Sequence, residues 1–132
     1  MSREGIVSLR VRYTEVDRMG VAHHRNHFVW FEIGRTELMR AAGVPYAAVE
    51  DAGVYLPVIE ASCAYKAPAR YDDVLSLTTA IAEFSGARVT FAYRLVREAD
   101  GALIATGTTT HAAIDTHGRP RRFPENLRRM LS

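Results

Sequence analysis

One long helix, apolar on more than one face, constrains this chain most. Between the turn at Arg18-Met19-Gly20 and the stop at Gly43, Phe28, Phe31, Leu38 and Ala42 recur at helical spacing, with Arg35 interrupting. Trp30, Ile33 and Ala41 lie to one side of that stripe. A helix this apolar is a core element, and the pattern predicts a sheet wrapped around it. Asn26 is a candidate N-cap, with a start one turn earlier left open, and Gly43 and Pro45 end the helix.

Almost everything else reads as strand. Ile6 to Tyr13 alternates Val7, Leu9 and Val11 with Ser8, Arg10 and Arg12, the pattern of a half-buried strand. Tyr46 to Asp51 predicts a short extra helix, and Leu56 to Lys66 a long strand. The polar turn Arg70-Tyr71-Asp72-Asp73 leads into a strand from Val74 to Ile81. Ser85-Gly86 and Asp100-Gly101 read as hairpin turns around the strand Arg88 to Arg97. The last strand runs from Leu103 to Asp115, and Gly107 inside it signals a bulge or a close backbone approach. A short helix, Pro124 to Leu131, ends a basic tail. One helix followed by strands joined through short turns predicts an antiparallel sheet and an α+β fold. Such a sheet leaves edges, which invite pairing with a second copy of the chain.

At 132 residues, the length suits one domain over 1–132 that buries roughly two thirds of its unfolded surface. No apolar run approaches the roughly 20 residues that span a bilayer, and the start of the chain has no apolar core of the signal-peptide kind. No membrane partner is therefore expected. Cys63 is the only cysteine, so no internal disulfide forms, which leans toward a reducing, cytoplasmic compartment. A net charge of +2 argues against nucleic acid as a partner.

The chemistry gathers where the helix begins. Asp17 lies just upstream of a helix start that carries His23, His24 and His27. A carboxylate there sits near unpaired backbone N–H groups and the positive end of the helix dipole. From this pattern alone, a capping role for Asp17 and a catalytic one stand level. His23 and His27 share a helix face at i, i+4, but no further ligand set follows, so no metal is expected. Glu32 and Arg35, one turn apart, predict an intrahelical ion pair. Glu60 reads as structural, and Cys63 as a small buried hydrophobe.

The motif Tyr13-x-x-x-Asp17-x-x-Gly20-Val21-x-x-His24-x-Asn26, followed by an aromatic helix with Glu32 and Arg35, resembles the 4-hydroxybenzoyl-CoA thioesterase-like branch of the hotdog-fold acyl-CoA thioesterases. The segment Tyr65 to Asp73 and the strand from Gly107 to Asp115 are similar to that group too. The resemblance implies a five-stranded antiparallel sheet wrapped around one long central helix, assembled as a homodimer or homotetramer. It implies hydrolysis of a small or medium acyl-CoA, with no cofactor beyond the coenzyme A of the substrate. Asp17 matches the family's nucleophile or general base, and the His24 N–H its carbonyl-polarising donor. Gly20, Val21, His23, Asn26 and His27 match positions around the acyl site, with His23 and His27 standing where aromatic residues are common. Lys66, Arg70 and Arg88 are candidates for the CoA phosphates, with the arginines of the tail as the alternative. Two other readings stay open: a non-catalytic acyl-CoA binding module, and a hotdog dehydratase, which would want a histidine base and a separate acid.

Overall fold

The computed structural model describes residues 3–132, and it places a long helix against one face of a five-stranded antiparallel sheet. The strands are β1 (Glu4–Arg10), β2 (Val58–Tyr65), β3 (Val74–Ser85), β4 (Arg88–Arg97) and β5 (Leu103–Ala112). The helices are α1 (Asn26–Ala41), α2 (Tyr46–Asp51) and α3 (Glu125–Leu131). In the sheet the order is β1-β3-β4-β5-β2.

The hairpins β3–β4 and β4–β5 turn where Gly86 and Gly101 lie, as the sequence suggests. β2, however, does not neighbour β3, which follows it in the chain. It crosses to the far side and pairs with β5, with Cys63 opposite Gly107. β1 and β2 are thus the two edges.

β3 runs on past Ile81 to Ser85, whereas β1 and β5 end earlier than expected, for local reasons. β1 stops at Arg10, and Tyr13–Glu15 forms a single 3-10 turn. There the Glu15 carboxylate reaches back to accept from the Arg12 N–H at 2.7 Å, which draws the chain out of the strand. β5 stops at Ala112, because Ile114 bridges both Tyr55 and Pro120, and Asp115 Oδ1 accepts the N–H groups of His117 and Arg119 in a turn.

The core lies between α1 and the sheet. Phe31 and Leu38 of α1 are buried against Leu75, Leu77, Phe91 and Leu95 of the central strands. Phe31 stacks flat on Tyr93, with ring centroids 4.3 Å apart. This contact answers the question raised by Gly107. The strand register is regular there, so Gly107 marks no bulge. A Cβ at that position would run into the Phe31 ring and lie 2.7 Å from the Ser62 carbonyl oxygen. Gly34 does the same for the helix: a Cβ there would press on Thr79 and lie 2.6 Å from Leu77 Cδ2. Both glycines let the helix lie directly on the sheet.

The helix is not buried all round. Val29 and Ile33 are 44% and 39% exposed, on the side away from the central strands. Glu32 and Arg35 do not form the expected ion pair; among the described residues neither side chain lies within salt-bridge distance of an opposite charge. Arg35 instead turns toward the sheet, close to Tyr93 and His111. No helix among the described residues is long and apolar enough to cross a membrane.

Candidate active site

The site begins with a small hairpin that ties a carboxylate to the start of α1. Val16 and Ala22 pair across it, so Asp17, one residue past Val16, lies at its turn end, while the chain runs on from Ala22 through His23 and His24 into the start of α1. Gly20 takes φ 76° to close the turn. The hairpin is clamped to the segment after β2: Val21 bridges Arg70, the Ala22 N–H donates to Ala69 O, and the Tyr71 N–H donates to Gly20 O.

Asp17 is exposed, and its two oxygens differ. Oδ1 accepts from the N–H of Met19 at 2.8 Å and of Val21 at 3.3 Å. Oδ2 has no hydrogen-bond partner among the described residues. The backbone holds one oxygen and so orients the carboxylate, while the other is left for a ligand or a water.

The helix start is organised by buried polar groups. Asn26 is not the N-cap; it is the first residue of α1, 6% exposed, and its side chain faces inward. Its Nδ2 donates to the carbonyls of Glu15 (2.8 Å) and His23 (3.0 Å). The Glu15 carbonyl also accepts from the His23 N–H. Asn26 thus fixes the hairpin to the helix, and it positions the site without lining it. The Glu15 side chain is buried as well, and its Oε2 accepts from the Trp30 indole N–H at 3.0 Å. Nothing in the sequence signalled this pair, whose members stand fifteen residues apart.

Around His24 the carbonyl is crowded and the N–H is open. His24 O accepts from the Tyr65 hydroxyl at 3.1 Å and lies 3.0 Å from His27 Nδ1. A carbonyl only accepts, so His27 carries its proton on Nδ1. The His24 N–H has no acceptor among the described residues. His23 stacks on His24 with centroids 4.3 Å apart, and its Nδ1 accepts from the Arg25 N–H. The N-cap is Arg25 rather than Asn26, and no side chain caps the helix there.

A hollow of about 270 Å³ opens beside these groups, lined by Val21, His24, His27, Tyr65 and Lys66 among others. Arg70 stands at its rim through the Val21 bridge and is exposed. Arg88 does not join them. It starts β4 at the opposite end of the sheet and lines a separate hollow on the outer face with Glu60 and Glu83. Among the described residues, no three His, Cys, Asp or Glu side chains gather closely enough to hold a metal ion.

His27 and a second buried histidine, His111 on β5, sit below the usual imidazole range. Burial is the main cause in both, opposed by a carbonyl hydrogen bond in each. Each ring is therefore neutral when folded and takes up a proton more readily once unfolded. Stability rises with pH across that interval and is lost as pH falls from about 6.5 toward the lower folded pKa. We expect the melting temperature to hold above pH 7 and to drop between pH 6.5 and 5. The drop should be shallower in His27→Gln and His111→Gln. Melts in a buffer series check this, and an unchanged slope in both variants would remove the assignment.

Residues 11–131 match the family described as the thioesterase-like superfamily. The chain belongs to that superfamily. Among related sequences, the acyl-CoA thioester hydrolase YbgC of Escherichia coli O6:H1 is 29% identical over 120 residues, 90% of this chain and 89% of its own. Among solved structures, the hypothetical protein TT1821 of Thermus thermophilus superposes with a TM-score of 0.89 at 40% identity, covering 97% of this chain and 95% of its own. A 4-hydroxybenzoyl CoA thioesterase variant in complex with 4-hydroxybenzoyl CoA superposes with a TM-score of 0.90 over 99% of this chain and 100% of its own. At 18% identity that likeness is one of fold. The sheet wrapped around α1 is accordingly the hotdog fold, and the activity class of this thioesterase is thioester hydrolysis.

Proposed function

We propose that this thioesterase hydrolyses small or medium acyl-CoA thioesters, with Asp17 as nucleophile or as general base on water. The observation that carries this reading is a pair of unfilled groups. One Asp17 oxygen is pinned by two N–H groups while the other lacks a partner among the described residues, and the N–H of His24, at the helix start, lacks one too. That N–H is the donor for the thioester carbonyl, at the positive end of α1. Either Asp17 adds to the carbonyl carbon, forming a mixed anhydride that water hydrolyses after the thiol has left, or it takes a proton from the water that adds. The C–S bond then breaks, and the thiol departs as thiolate at a pKa near 8.5, so no dedicated acid is needed. Asn26 donates to the His23 carbonyl from both its backbone N–H and its side chain, and so holds the peptide that carries the His24 N–H.

Lys66 and Arg70, at the mouth of the hollow, are the groups for the CoA phosphates. Replacing either with alanine should raise KM for acyl-CoA by about tenfold. The same change should leave a pantetheine thioester, which lacks the nucleotide, nearly as it was. Equal losses on both substrates would point to misfolding instead.

The working unit is at least a homodimer. β2 is an edge with Val58, Ile59 and Tyr65 each 47% exposed, beside the uncovered Val29 and Ile33 of α1. Two β2 edges paired antiparallel set the Val58 end of one chain beside the Tyr65 end of the other. Arg88 of the partner subunit then approaches the Lys66 end of the first chain, which restores Arg88 as a phosphate candidate. Free-thiol release over a panel of acyl-CoAs, with sedimentation at the assay concentration, tests both points. Acyl-CoA binding without thiol release would leave a binding module. Hydration of an enoyl thioester would indicate a dehydratase. A fully active monomer would remove the assembly.

A further inference from the structure

The seam between α1 and β2 carries a second hollow besides the one at His24. Further along the same seam, Phe28, Val29, Val58 and Ala61 wall a mainly apolar hollow of about 290 Å³. Glu32 and Arg35 belong both to it and to a deeper cavity of about 360 Å³ that ends at Tyr46 and His111. His24 and Arg35 are three helical turns apart, roughly 16 Å along the axis. Helical side chains tilt back toward the N-terminus, so the guanidinium covers part of that distance.

Arg35 is half-buried and makes no salt bridge among the described residues. The groups behind it are arranged as a chain that cannot neutralise it. His111 Nδ1 lies 2.9 Å from the Leu56 carbonyl and so carries the proton. Nε2 then accepts from the Thr109 hydroxyl at 2.9 Å, and Thr109 in turn accepts from the Tyr93 hydroxyl at 2.6 Å. Every member is neutral. The Tyr46 oxygen accepts from the Leu56 N–H at 3.1 Å, which leaves its own proton to donate. Glu32 is exposed, where water and salt screen its charge. A half-buried guanidinium with unfilled donors, at the end of an apolar groove, is a site for an anion.

We propose that Arg35 binds a carboxylate at the far end of the acyl group, so that the substrates are acyl-CoAs of about eight to ten carbons ending in an acid. The inference rests on the acyl-CoA reading above and adds the class of acyl chain.

The test compares decanoyl-CoA with the mono-CoA thioester of decanedioic acid, within a chain-length series of such acids. The wild-type enzyme should favour the acid-ended substrate by about tenfold in kcat/KM. In Arg35→Met the ratio should fall to about one, and in Glu32→Gln it should rise. Calorimetric binding of decanedioate against decanoate reads the same cavity without turnover and should show the same order, abolished in Arg35→Met. No preference in the wild type, or a preference that survives Arg35→Met, would overturn the proposal. So would a preference for a hydroxyl-ended chain that disappears in Glu32→Gln, which would assign the cavity to Glu32. If no acyl-CoA releases thiol, the hydrolytic reading fails, and the calorimetric arm alone decides the carboxylate subsite.

Discussion

Asp17→Asn should fold like the wild type and lose turnover by about a thousandfold or more. The fold survives because the turn needs only an acceptor. Asn keeps an oxygen at the Oδ1 position, where the Met19 and Val21 N–H groups donate. What is lost is the anion at Oδ2. An amide is a poor base and a far weaker nucleophile, so both mechanistic options fail together. The His24 N–H would still polarise the carbonyl, so substrate should still bind and a residual rate should remain. The measurement is kcat on the best acyl-CoA beside a thermal melt. A capping role predicts the reverse pattern, and wild-type kcat in the Asn variant would end the catalytic assignment.

Gly107→Ala should be among the most destabilising single methyl additions in the protein, at about 3 kcal/mol. For a chain of this size that lowers the melting temperature by roughly 10 °C. The new Cβ would meet the Phe31 ring and lie 2.7 Å from the Ser62 carbonyl oxygen. Neither neighbour can give way cheaply. Phe31 is fully buried and stacked on Tyr93, and Ser62 is backbone in the paired strand. Gly101 supplies the contrast. Its φ is 72° and nothing lies within 4 Å of its would-be Cβ, so Gly101→Ala should cost only the backbone strain, about 1 kcal/mol. Parallel melts of the two variants check the difference. Equal shifts would mean that the helix does not rest on the sheet at Gly107.

The sequence made the long helix, the hairpin strands and the Asp17 motif legible because each is written locally. Helical spacing, alternation and turn residues need no knowledge of the rest of the chain. The place of β2 was not legible, since its crossing to the β5 edge depends on which strand it meets. The ion pair expected between Glu32 and Arg35 failed for the same reason. Spacing on one helix cannot foresee that Arg35 turns toward Tyr93 on the sheet. Asn26 was legible as important but not in its role. A cap and a buried tie use the same residue type, and only the carbonyls of Glu15 and His23 distinguish them. Gly107 was read as a bulge or a close approach, and only the regular register and the Phe31 ring decide for the second.

Gly34 and Gly107 together close the space beneath α1. An acyl group bound as proposed would therefore lie alongside the helix, against a wall drawn from Val29, Val58 and Ala61. Val29 and Val58 also belong to the surface that a second chain would cover. In a dimer joined through β2, the choice of acyl group and the strength of subunit association are then not independent traits. A change at Val29 or Val58 that reshapes the groove also alters how the two chains meet, so new substrate ranges in such an assembly would tend to arrive with altered self-association.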